Sequence, residues 1–384
     1  MKDLSIFFKA REIEENFEDF QVGNKIVFHT QNNFPELKEW GIAIIECPEY
    51  RNHTESSINE NPIDLLLPFY NLFCGDDWNF DIYDLGYILP GNTISDTYYA
   101  LKTVCSECLK KNILPIVIGG SQDLSFSIYD AFRSNEQMVN MCFIDRELDL
   151  GLGEVEIKSN AFIRHIIEDS PCFLFNCSTI GVQSPYVKKN ELDLFSQLYF
   201  DVLRLGELND DFRSCEPLIR NSDMLSIDTN VLRLNEFESE KNSPNGLYAE
   251  QLCQIAKYAG MSDKLSCFSI FQSLDLHHLK NHQLLGEILW YFLDGIAQRK
   301  NDFPKCNKKD YLKFIVHLET LNEDIIFYKS PKSERWWMEV PYPMHKESKF
   351  ERHYLVPCTE EDYHQTMKND IPDLWWKTFQ KLSI

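Results

Sequence analysis

The sequence predicts an α/β protein with a mostly parallel sheet and helices on both faces, followed by a smaller α+β segment. Two observations carry this. Between about residues 40 and 300, short apolar runs alternate with longer stretches of helical period, the signature of parallel strands joined by helices. From residue 301 onward the pattern changes to a hairpin signal followed by two short helical stretches.

Taken in order, Gly41–Cys47 reads as a buried strand and Ile63–Phe73 as a helix. Thr97–Lys111 reads as a helix, and Ile113–Ile118 as a strand ending at Gly119-Gly120. Strands follow at Met138–Ile144 and Phe173–Gly181, with a helix at Ala161–Glu168 between them and another within Ser184–Leu198. Phe200–Leu205 and Met224–Ile227 are short strands, Leu247–Ala259 is helical, Leu265–Phe271 is a strand, and Gln283–Ile296 is a strongly apolar helix. Residues 1–300 are thus expected to form one doubly wound domain. In 301–384, Phe314–Glu319 and Ile325–Tyr328 flank a turn, Trp336-Trp337 begins a third strand, and helices start at Glu360 and after Pro372. This segment is expected to be an ordered appendage packed on the main domain.

Composition narrows the function classes. Of 384 residues, 43% are hydrophobic and 26% charged, which excludes disorder and collagen-like repeats. The 60 acidic and 38 basic side chains leave a formal charge of −22, a field that repels nucleic acid and anionic membranes. No apolar run reaches the 18 residues of a membrane span, and the opening Leu4–Phe8 stretch is too short for a secretory signal. Many of the 12 cysteines, such as Cys142, Cys172, Cys177 and Cys267, sit in apolar runs and read as buried thiols of a cytoplasmic protein. Cys105 and Cys108 lie in a helix without a second pair, which favours packing over metal binding.

In an open parallel sheet, ligands bind beyond the carboxyl ends of the strands. Three such ends are unusual: Gly119-Gly120-Ser121-Gln122-Asp123, Asp145-Arg146-Glu147-Leu148-Asp149 and Asp228-Thr229-Asn230. Alternation in an extended segment would put Asp145, Glu147 and Asp149 on one face, with Arg146 opposite. Converging carboxylates repel unless a cation offsets them, so a metal site stands against a solvated acidic loop. Ser125 and Ser127 read as helix caps. His277, His278 and His282 cluster in a loop on the site side, and His165 reads as a surface or packing residue.

These stretches, with Ser226-Ile227 before Asp228, resemble the ureohydrolase family of arginase, agmatinase and formimidoylglutamase. That family carries Gly-Gly-Asp-His-Ser, Asp-Ala-His-x-Asp and Ser-x-Asp-x-Asp at similar separations. Gly246-Leu247, Ala259-Gly260-Met261 and the strand at 265–271 resemble its closing segment, so the likeness covers roughly residues 40–300. It implies a three-layer α/β/α sandwich around an eight-stranded parallel sheet. In active members, two histidines and four aspartates hold two manganese ions. The matching positions here are Gln122, Asp145, Glu147, Asp149, Asp228 and Asn230, of which only Asp145, Asp149 and Asp228 are unchanged. The guanidinium-orienting glutamate aligns with Gln272, and Gly151 stands where the family often has asparagine.

Every nitrogen ligand is lost in this comparison, and the oxygen donors that remain suit a hard ion such as Mg²⁺, Ca²⁺ or Mn²⁺. The expectation is therefore either no cofactor or a single hard divalent cation, without a two-manganese cluster. The resemblance then implies a ureohydrolase-fold protein that is catalytically inactive and acts as a binding or assembly component, with a protein partner or through self-association. The alternative is a metal-dependent hydrolase of linear amidine or guanidine C–N bonds. Trp336, Trp337, Trp375 and Trp376 are candidate anchors for a partner, or else pack the appendage onto the main domain.

Overall fold

The computed structural model describes residues 3–13, 15–52, 65–239, 242–271, 278–304, 308–319, 322–341 and 353–383. Its larger sheet comprises β1 (Phe8–Lys9), β2 (Ile26–Phe28), β3 (Ile42–Glu46), β4 (Ile82–Ile88), β5 (Leu114–Ile118), β6 (Val139–Ile144), β7 (Leu174–Val182), β8 (Asp201–Arg204), β9 (Met224–Asp228) and β10 (Cys267–Phe271). The strand order is β1-β4-β3-β5-β10-β9-β6-β7-β8, with β2 also on β4. β1 runs antiparallel to β4, and the other pairings are parallel. The seven strands read from the sequence are β3 and β5 to β10; β4 completes the eight that the resemblance implied, and the N-terminal segment adds two more at the β4 edge.

Strand pleating builds a core on each side of the sheet. Ile42, Ile44, Ile116 and Ile118 belong to one buried cluster, and their neighbours Ala43, Ile45 and Val117 to the other. The helices Ala249–Gly260 and Leu279–Ala297 cover the first face; Ile94–Lys110 and Leu124–Ser134 cover the second. Cys105 and Cys108 sit on the buried side of Ile94–Lys110, where burial pushes both thiols up, Cys108 to about 12. Such thiols stay protonated and inert. Cys142, Cys177 and Cys267 are buried as expected. Cys172 is exposed instead, because it lies in the loop after Pro171, before β7 begins.

Two elements differ from the sequence expectation. The helix expected over 63–73 is a single turn, Leu67–Tyr70; residues 63 and 64 lie outside the described residues. β4 carries no sequence expectation, although all seven of its residues are buried, because Asp84 and Gly86 break its apolar run. Asp84 can be buried in the strand because Arg11 Nε donates to its Oδ2 at 3.2 Å, Tyr70 donates its hydroxyl to the same oxygen, and the Gly86 N–H reaches Oδ1 at 2.7 Å.

The smaller sheet is antiparallel: β11 (Leu312–Leu318), β12 (Glu323–Lys329), β13 (Trp336–Pro341) and β14 (His353–Cys358) in sequential order. With the helix Asp373–Ser383 it encloses its own core, which includes Trp336, Met338, Val356 and Trp375. Trp336, Trp337 and Trp375 are buried, which removes them as surface anchors; Trp376 is exposed. Arg220, on the helix Cys215–Arg220, joins the two sheets by donating to the Trp336 carbonyl at 3.0 Å and the Cys358 carbonyl at 3.1 Å. Its guanidinium also lies 4.7 Å from the centre of the Trp337 ring. Among the described residues, no helix is long and apolar enough to cross a membrane.

Candidate functional site

The three unusual sequence stretches meet at the carboxyl edge of the larger sheet because β5, β10, β9 and β6 are consecutive neighbours. Ile144 of β6 lies beside Ile227 of β9, so Asp145 leaves its strand next to Asp228. Asp228 in turn lies beside Phe271 of β10, and Ile270 beside Ile118 of β5. Gly119 and Gly120 follow β5 with φ of +86° and +74°, a left-handed pair that side-chain-bearing residues rarely adopt. That turn sends Ser121, Gln122 and Asp123 into the start of the helix Leu124–Ser134, and all three are fully buried.

Asp145, Asp149, Asp228, Gln122 and Asn230 are buried here, whereas Glu147 keeps 36% of its side chain exposed. Simple alternation does not produce this pattern. β6 ends at Ile144, and the Asp145 Oδ1 accepts the Glu147 N–H at 2.9 Å, which curls the chain into a bend. Asp149 then sits at φ +44°. The bend also buries Arg146, whose Nε donates to Glu147 Oε1 at 3.1 Å and whose guanidinium stacks 4.4 Å from the Tyr186 ring centre. Asp228 repeats the device by accepting the Asn230 N–H at 2.7 Å.

Electrostatics shows which of these groups act together. Burial pushes the Asp145 carboxyl up to about 6, with the Glu147 charge adding; the Glu147 N–H and the Asp149 and Gln122 side chains oppose the rise. Burial raises Asp149 further, helped by the charges of Asp145, Glu147 and Asp228. The two carboxyls therefore titrate as a pair, each charge opposing the other. The Asp145 Oδ2 and both Gln122 amide atoms are buried with no hydrogen-bond partner among the described residues. No three His, Cys, Asp or Glu side chains among the described residues are already drawn together as a metal cage.

Other candidates lie elsewhere or behave differently. Gln272 and His277 lie outside the described residues. His278 pairs with Glu238 at 2.8 Å, and His282 is buried in the helix Leu279–Ala297. His165 is half-buried on the helix Phe162–Ile167. Gly151 follows the acidic bend at φ +48°, where an added Cβ would stand 2.4 Å from the Ala161 Cβ. Ser125 is not a cap: its hydroxyl lies 3.0 Å from that of Ser226 on β9, tying the helix to the sheet. Asp123 closes the first unusual strand end, but the sequence alone gives it no role; it is a fully buried acid raised by burial that accepts from Asn52 Nδ2 at 3.1 Å and from the Tyr98 hydroxyl. Its position two residues after Ser121, at the mouth of the same loop, was the available signal.

This is a doubly wound α/β protein with an acidic cluster at the carboxyl edge of its parallel sheet. Solved structures narrow that to the arginase/ureohydrolase fold. The chain is similar to formiminoglutamase from Trypanosoma cruzi crystallised with two Mn²⁺, at 18% identity and a TM-score of 0.60 over 67% of this chain and 94% of the other. It is also similar to formimidoylglutamase from Bacillus subtilis, at 14% identity and a TM-score of 0.64 over 76% and 97% of the two chains. A third likeness is to the agmatine ureohydrolase of Thermoplasma volcanium, at 15% identity and a TM-score of 0.58 over 73% and 96%. No protein-family model and no curated sequence matches the chain.

Proposed function

We propose that this ureohydrolase-fold chain has lost the family's hydrolysis and works as a binding or assembly component. The observation that supports the reading is the donor set at the shared strand edge: two neutral amides, Gln122 and Asn230, and a half-exposed Glu147 tied to Arg146. These occupy the places of two histidines and an aspartate in the ureohydrolase pattern. The residues fit one hard cation better than a pair. Asp145, Asp149 and Asp228 would hold it, with the orphaned Asp145 Oδ2 and the Gln122 amide oxygen as inward donors. A bound ion would lower the pKa of its water, by less for one hard ion than for a pair.

The orphaned oxygens also support a second reading, a metal-dependent hydrolase of linear C–N bonds. Elemental analysis of the purified chain, with assays for urea and formamide release under added Mn²⁺, separates the two. The first reading expects at most one divalent ion per chain and no release. Two manganese ions per chain with turnover would establish the second.

A further inference from the structure

We infer that an aromatic corner on the exposed side of the helix Leu279–Ala297 binds a trimethylammonium group, carried by a free small molecule or by a lysine side chain. An open cavity of about 440 Å³ lies between that helix and the loop after Leu67–Tyr70, lined among others by Phe73, Glu287, Trp290 and Tyr291. Its volume falls within the range of small-molecule sites, and none of these residues belongs to the acidic cluster.

The walls are aromatic and set at right angles. The Trp290 and Tyr291 ring centres are 5.3 Å apart at an interplanar angle of 84°, and Phe73 meets Phe20 edge-on at 5.2 Å and 90°. Rings so placed form two sides of a corner, and ring faces attract cations. The corner is also held in place by the fold. The Trp290 indole N–H donates to the Phe73 carbonyl at 2.6 Å, which ties the helix to the loop, and the indole packs 5.9 Å from buried Trp78. Phe73 nevertheless stays 69% exposed and Phe20 55%, so the fold itself leaves this aromatic surface uncovered.

Charge selects the ligand. Glu287 precedes Trp290 and Tyr291 by three and four residues, which puts all three on one helix face. Among the described residues Glu287 has no ion pair, and the exposed Asp76 and Asp77 follow Phe73 in the loop. Lys25 does not fill the corner: it donates to the Trp78 carbonyl and lies over the Phe80 ring. An anion would meet repulsion here, and a plain ammonium would lose hydration that ring faces cannot replace. A trimethylammonium spreads its charge over an apolar surface and suits both the rings and the Glu287 carboxylate.

Calorimetry on the full chain in excess chelator tests this with choline, a trimethyl-lysine peptide, the same peptide with unmodified lysine, and 3,3-dimethylbutan-1-ol, the uncharged carbon counterpart of choline. Choline or the trimethyl-lysine peptide should bind with Kd below about 1 mM, and the tighter of the two names the source. The uncharged alcohol and the unmodified peptide should each bind about ten-fold more weakly than their methylated counterparts. Tyr291→Leu and Glu287→Gln, both at exposed positions, should weaken binding about five-fold, whereas Tyr291→Phe keeps the ring and should restore it to within about two-fold. Asp145→Asn should leave it unchanged. No binding of either methylated cation, equal binding of the uncharged alcohol, an unchanged Kd in Tyr291→Leu, or loss of binding in Asp145→Asn, which would move the cation to the acidic cluster, would overturn the assignment.

Discussion

Asp145→Asn should stabilise the metal-free protein at neutral pH, and the gain should vanish in acid. The carboxyl is buried and raised from 3.8 to about 6, so the folded state holds its proton more tightly than the unfolded chain does. Between those two values the folded state binds more protons, and stability therefore falls as pH rises, reaching a constant deficit above about pH 6. A shift of this size corresponds to about 3 kcal/mol. The amide keeps the oxygen that accepts the Glu147 N–H and abolishes the charge. For 384 residues the unfolding entropy is about 0.8 kcal/mol/K, so the gain amounts to about 4 °C in Tm. Differential scanning calorimetry in chelator should show nearly equal Tm values at pH 3.5 and a variant about 4 °C higher at pH 7. A gap that does not change with pH, or a less stable variant at pH 7, would refute the electrostatic reasoning.

Three further outcomes follow from the same structure. The triple change Gln122→His, Glu147→His and Asn230→Asp should raise Mn²⁺ affinity in titration calorimetry, because imidazole nitrogen suits Mn²⁺ and aspartate adds charge; no gain would mean that these residues are wrongly matched to a metal site. Gly151→Ala should lose about 1–3 kcal/mol in denaturant unfolding, since its Cβ meets Ala161 and its φ is left-handed. Arg220→Ala removes the donor to two carbonyls of the smaller sheet and one of the two arginines paired with Glu216, which keeps Arg335, and should cost about 1–3 kcal/mol, read as a lower unfolding midpoint with earlier proteolysis of residues 312–383.

The parallel sheet was legible because its strands are apolar runs punctuated by glycine and acid, as in Leu114–Ile118 before Gly119. β4 was not, because its Asp84 is solvated by Arg11 from 73 residues earlier, a partner that local pattern cannot reveal. The meeting of Gln122, Asp145 and Asp228 followed from strand ends and a family resemblance. The individual orientations did not: period-two alternation puts Arg146 opposite Asp145 and Glu147 beside it, whereas the Asp145-to-Glu147 hydrogen bond bends the chain, buries Arg146 and leaves Glu147 half exposed. Asp123 was legible at its strand end but without a role, because its burial depends on Tyr98 and Asn52, both distant in sequence.

The cluster's energetics bears on what the chain retains it for. The fold gains little from Asp145 and Asp149 as charged groups, since burial and mutual repulsion raise both. An asparagine at either place would relieve the repulsion, and Asn230 shows that the edge accommodates an amide at a neighbouring position. Groups that weaken a fold are characteristic of sites that bind something, where the bound partner supplies the missing compensation. On the proposed reading, that compensation for two buried aspartates and an orphaned oxygen would be a cation or a cationic group. A binding role for this edge therefore accounts for its carboxylates without requiring the nitrogen ligands that hydrolysis in this fold employs.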